Sequence, residues 1–181
     1  MRVLPCAVIL LLAPLLLTGP AIAQEHRHGQ GHSAGESPYA GLETRDMKAL
    51  SEQQLADLRA GRGMGLALAA ELNGYPGPLH VLELGEQLQL SAEQRRRVAE
   101  LHASMKAEAV ATGERLIAHE AALDRHFKDR TITPESLAAL TSRIGETQGL
   151  LRAVHLKYHL AMAELLTAEQ SRRYAELRGY R

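Results

Sequence analysis

Two stretches of this chain carry apolar side chains at alternating three- and four-residue steps for far longer than one globular helix needs, and only a short connector separates them. The first runs through Val98, Leu101, Met105, Ala109, Thr112, Leu116, His119, Leu123 and His126, and ends around Asp129. The second runs through Leu137, Leu140, Ile144, Thr147, Leu151, Val154, Tyr158, Met162 and Leu165. Such spacing lays one narrow apolar stripe along one face of a helix. Two helices of roughly 30 residues joined by about four must form an antiparallel hairpin, because so short a connection permits little else. Each helix offers a single seam, so shorter helices or a second subunit must cover the rest. Beyond the N-terminal segment no alternating strand pattern occurs. The expected fold class is all-α, a long antiparallel helical hairpin with shorter flanking helices.

Helix starts are marked by recurring capping sequences. Ser51-Glu52-Gln53-Gln54 reads as a capping box, in which the Ser hydroxyl accepts from the backbone N–H three residues on and Gln54 reaches back. Leu90-Ser91-Ala92-Glu93-Gln94 and Leu166-Thr167-Ala168-Glu169-Gln170 repeat the pattern, and Thr133-Pro134-Glu135 caps the second long helix with Pro at its first position. Gly61, Gly63 and Gly65 form a hinge before an Ala-rich helical stretch over 66–72, which Asn73-Gly74 stops. Pro78 opens a further helix expected over 79–88.

The N-terminus reads as an export signal over 1–23. Arg2 precedes an apolar run over 3–17, a helix-breaking Gly19-Pro20 and the small-x-small sequence Ala21-Ile22-Ala23. The run stops short of the roughly 20 residues an anchor needs. Cys6, the one cysteine, should leave with the signal, which excludes disulfides, thiolate zinc sites and cysteine nucleophiles together. About 158 residues remain, enough for one domain. They divide into a disordered His-rich tail over 24–37, an N-terminal helical segment over 38–76, and a hairpin domain over 77–181. With one Phe and no Trp, the core must come from aliphatic seams. The formal net charge is zero, so no overall field points to nucleic acid. The processed chain should be periplasmic and should not span a membrane.

The two motifs Leu90-Ser91-x-x-Gln94 and Leu166-Thr167-x-x-Gln170 resemble the paired Leu-Thr-x-x-Gln motifs of the Spy/CpxP family. These are periplasmic all-helical proteins that include ATP-independent chaperones, envelope-stress adaptors, zinc-resistance-associated proteins and heavy-metal sensors. The resemblance covers roughly residues 77–179, and Ser91 in place of Thr keeps the capping hydroxyl. It implies a cradle-like homodimer that binds partly unfolded envelope proteins without a required cofactor, with a sensor kinase or regulator as a further partner. The segment 38–78 has no counterpart in the short chaperones.

Metal binding is one chemistry the residues offer. His155 and His159, four apart, share one helix face. With the turn centred near Thr131 and Ile132, facing residues have numbers that sum to about 263. His102 then faces Met162, Met105 faces His159, and Glu108 faces His155. Imidazole with thioether suits copper or silver better than zinc, although Met105 and Met162 on the stripes also suit plain core packing. His119 and His126 lie on the first stripe and read as packing or hydrogen-bonded groups. His26, His28 and His32 in the tail either catch a transition metal weakly or belong to a solvated linker.

Polypeptide binding is the other. Arg95, Arg96, Arg97, Lys106, Arg115, Arg125, Lys128, Arg130, Arg143, Arg152 and Lys157 are interleaved with carboxylates along the hairpin, and their stems cover aliphatic patches that hold unfolded chains loosely. Catalysis has no support: no phosphate loop follows a strand, and neither a nucleophile elbow nor His-Glu-x-x-His occurs. Two expectations result, a periplasmic chaperone or stress adaptor, and a copper- or zinc-binding sensing or resistance protein.

Overall fold

The two seams form helices of 37 and 32 residues, α4 over Ala92–Lys128 and α5 over Pro134–Leu165, which pack along each other. At 1.5 Å per residue α4 is about 55 Å long. The computed structural model describes residues 37–180. Residues 1–36, which carry the expected export signal and His26, His28 and His32, lie outside the described residues, as does Arg181. Among the described residues four shorter α-helices dress the hairpin: α1 over Glu52–Ala60, α2 over Leu68–Glu71, α3 over Pro78–Glu83 and α6 over Ala168–Leu177. No strand occurs among the described residues.

The capping sequences do what their chemistry dictates. Ser51, Ser91 and Thr167 each accept from the N–H of Gln54, Gln94 and Gln170, at 3.2, 3.1 and 3.1 Å. Each Gln returns the bond to its cap's own N–H. Thr133 completes a fourth box with Ser136. Two flanking helices are shorter than the sequence suggests. α2 begins at Leu68 because Gly65 and Met64 take left-handed backbone ahead of it. α3 stops at Glu83, and the chain then turns through Gln89, also left-handed, with Leu90 N–H donating to the Gly85 carbonyl at 3.1 Å.

The core lies in two clusters along the hairpin. One joins Met105, Ala109, Leu116 and Ile117 of α4 to Ile144, Leu151, Val154 and Tyr158 of α5, covered by Met47 and Leu58. The other joins Val98 and Met162 to Val81, Leu88, Leu90, Leu166 and Tyr174. Leu101 touches both. α1 approaches α4 closely at Gly113, where an added Cβ would stand 2.7 Å from the Leu58 carbonyl oxygen.

Side-chain register across the hairpin differs from the turn-centred expectation. Glu108 meets Tyr158, whose hydroxyl donates to Oε1 at 2.7 Å, and Lys157, where His155 was expected. His119 meets Thr147 at 3.1 Å, where Ile144 was expected. The offset is about three positions, and most of it follows from side-chain direction. Cβ vectors tilt toward each helix's N-terminus, so a spot is covered by the residue about one position C-terminal to it. Antiparallel helices count that offset twice.

Candidate functional site

Segment 60–80 runs over the hairpin and leaves a cleft of about 690 Å³. His102, Met105 and Lys106 reach it from α4, within a single turn, and His155 and His159 reach it from α5. Arg178 and Tyr180, beyond α6, line it as well.

His159 is fixed by the loop that Asn73-Gly74 creates. Its Nδ1–H donates to the Tyr75 carbonyl at 2.7 Å, and the same nitrogen lies 3.7 Å from Glu71 Oε2. Its Nε2 makes no hydrogen bond among the described residues. Gly77 passes directly over this ring: a Cβ there would meet Cε1 at 3.0 Å and Nε2 at 3.4 Å. His155, one turn earlier, is 3% exposed, and its Nε2 is buried with no hydrogen-bond partner among the described residues. Burial, reinforced by neighbouring His159, holds its pKa below the ordinary imidazole value, so it is neutral at pH 7.

Glu71 ties the cleft wall to the C-terminal helix. It is buried, and Oε1 accepts from the Tyr174 hydroxyl at 2.5 Å and the Tyr180 hydroxyl at 3.0 Å, with Arg178 Nε at 3.6 Å. Burial and then the Glu71 carboxylate push the Tyr174 phenol above its usual range.

Of the residues singled out from the sequence, His102, Met105, His155 and His159 share this cleft. Met162 does not; it is fully buried with Val98 and Tyr174 in the second core cluster. Glu108 is occupied by Lys157 and Tyr158, which hold its carboxyl below the usual range. Among the described residues no group of three or more His, Cys, Asp or Glu gathers closely enough to hold an ion. His119 lines a separate, shallow basin with Arg115 and Arg143. Thr147 Oγ1 donates to the Arg143 carbonyl at 2.7 Å, so it accepts from His119 Nδ1. His126 pairs with Thr131 at 3.0 Å. Leu90, Ser91, Gln94, Leu166, Thr167 and Gln170 lie together at the other end of the hairpin from its turn, with both leucines buried.

Sequence reasoning missed Glu71, Gly77, Arg178 and Tyr180, and read the Gly61–65 stretch as a hinge alone; that stretch lines the cleft. A carboxylate alone in an Ala- and Leu-rich run was the one available signal for Glu71. The same segment carries five exposed apolar side chains, Met64 (40%), Leu68 (54%), Leu72 (60%), Tyr75 (40%) and Leu79 (43%). Met64, Leu68 and Leu79 line the cleft, and Leu72 follows one helical turn after Leu68.

No family model, curated protein or solved structure matches this chain.

Proposed function

We propose that this protein is an exported, periplasmic chaperone or stress adaptor that works without ATP, holding partly unfolded polypeptide at the cleft beneath segment 60–80. The carrying observation is the apolar rim. Five large apolar side chains exposed within one short segment leave area that water penalises at roughly 25 cal/mol per Å². Three of them open onto a concavity, where an extended chain finds walls on both sides. Among the described residues no helix is long and apolar enough to cross a membrane. The export pattern over 1–23 and the two Leu-Ser/Thr-x-x-Gln motifs support the same reading.

The test is suppression of aggregation of a reduced client protein, with chelator present. Wild type should suppress it, and Leu68→Ser with Leu72→Ser, both exposed, should weaken suppression while leaving the helical signal unchanged. Equal suppression by the double variant would remove the rim from the account. Mass spectrometry of the processed protein checks the export step: a mature N-terminus at Gln24 is expected, and retention of residues 1–23 would overturn it.

A second reading, copper or zinc binding, rests on one observation. Among the described residues His155 Nε2 is buried without a partner and His159 Nε2, on the same helix face, makes no hydrogen bond, with Met105 and His102 in the same cleft. The donors suit a soft or intermediate ion. Metal titration of wild type against His155→Ala and His159→Ala separates the readings: tight uptake lost in both, with client suppression unchanged, favours the sensor.

A further inference from the structure

We infer that the polypeptide segments this cleft prefers are apolar ones that carry an internal acidic side chain, whose carboxylate is met by Lys106 and His102. The inference rests on the polypeptide-binding reading above and names the chemistry of its ligand.

Charge in the cleft is unbalanced. Arg62, Lys106 and Arg178 line it, against the single carboxylate of Glu71. Glu71 is already engaged by two phenols and faces Arg178. Arg62 is bound to Asp57 at 2.6 Å. Lys106 is different: among the described residues no carboxylate lies within 4 Å of it, and its side chain makes no hydrogen bond. His102, one turn before it on the same face of α4, is half-buried and likewise has no hydrogen-bond partner. A lysine and an imidazole therefore stand unanswered, among the described residues, beside the apolar rim of Met64, Leu68 and Leu79.

An incoming lysine would face Lys106 and find the one carboxylate taken. An incoming glutamate would gain a charge-assisted partner in Lys106, which is exposed, so the pair is modest and screened by salt. The apolar neighbours of that glutamate would lie along the rim. The carboxylate in question is that of a side chain, so the probes are capped at both ends and carry no free terminus.

Short, acetylated and amidated fluorescent peptides, identical and apolar apart from one central Glu, Gln or Lys, are titrated into the protein and followed by anisotropy. The Glu peptide should bind about two- to fivefold tighter than the Gln peptide at low salt, and the Lys peptide weaker than both. Raising salt should narrow the gap. Lys106→Glu should invert the order, whereas Lys128→Glu, an equal charge change on α4 outside the cleft, should not. Leu68→Ser should weaken all three peptides alike. Equal binding of Glu and Gln peptides, or loss of the preference in Lys128→Glu, would overturn the inference while leaving polypeptide binding intact. Binding of none of the peptides would overturn both.

Discussion

The Gln94 and Gln170 side chains, from helix starts 76 residues apart, exchange amide hydrogen bonds of 2.9 and 3.1 Å. Each amide nitrogen also reaches a carbonyl from the chain just before the other's cap, Gln94 to Leu165 and Gln170 to Leu88, both at 3.3 Å. Each amide oxygen additionally accepts from its own cap's N–H. The arrangement is nearly two-fold symmetric, and it gives the repeated motif a physical purpose. One residue type, at one offset from a capping hydroxyl, both finishes its own helix and clamps the other.

Because the two amides share bonds, their removal should be non-additive. Gln94→Ala and Gln170→Ala should each cost about 1–2 kcal/mol, the size of a lost cap plus one part-buried hydrogen bond. The double variant should cost less than the summed singles by about 0.5–1 kcal/mol, because either single change already breaks the clamp. Urea unfolding followed by circular dichroism measures all three. Strictly additive losses would mean that the clamp adds nothing beyond the two caps.

Three mid-helix glycines should respond to alanine with opposite signs. Alanine in a helix interior gains up to about 1 kcal/mol over glycine. At Gly145 and Gly149 of α5 an added Cβ meets nothing within 4 Å, so Gly145→Ala and Gly149→Ala should stabilise. At Gly113 the Cβ would stand 2.7 Å from the Leu58 carbonyl oxygen and 3.2 Å from its carbon. Backbone cannot swing aside as a flexible side chain can, so α1 must lift from α4. Gly113→Ala should therefore destabilise by about 1–3 kcal/mol despite the propensity gain. A raised melting temperature in Gly113→Ala would show that α1 is not seated as described.

The hairpin and its caps were legible because both depend on short-range rules: a stripe repeats every turn, and a capping box spans four residues. The cleft was legible only in part. His155 and His159 were placed together because they share one helix, whereas opposing Met162 to His102 required a cross-helix register that the tilt of Cβ vectors displaces. Met162 accordingly sits in the core. Glu71, Arg178 and Tyr180 meet only after α6 folds back and the Asn73-Gly74 turn redirects the chain, and neither event leaves a periodic trace in the sequence. The apolar character of Met64, Leu68 and Leu72 was visible, but their exposure was not, since a four-residue helix shows too little pattern to reveal which face it buries.

Glu120 is an acid that should weaken the fold at neutral pH. It lies on α4, 8% exposed, with no hydrogen bond and no cation within 4 Å among the described residues. Burial raises its pKa above the reference 4.5. A carboxyl whose folded value is raised favours folding below the unfolded value and loses that contribution as pH rises through the folded one. Glu120→Gln, which keeps the shape and removes the charge, should raise the melting temperature at pH 7 and change it little at about pH 4. A lower melting temperature at pH 7 would mean that the carboxylate has a stabilising partner.

His155 carries the opposite sign, and its effect falls in a different window. Its folded pKa is depressed below the reference 6.5, by burial first and by His159 second. Below the unfolded value the unfolded chain takes up a proton at this position that the folded chain resists, so stability falls as pH drops through about 6.5 and onward to the folded value. Thermal unfolding followed at about pH 7.5 and about pH 5.5 should therefore show the wild type losing stability on acidification. In His155→Leu, which fills the same space without a titrating ring, the loss should be smaller, although the other histidines still contribute. The variant also removes the one buried side-chain nitrogen that lacks a partner among the described residues, so it should be at least as stable as wild type at the higher pH, where an unpaired buried polar atom is a cost. An unchanged pH slope in His155→Leu would place the acid sensitivity elsewhere. A large loss of stability at about pH 7.5 would mean that Nε2 has a partner that the protein atoms alone do not supply.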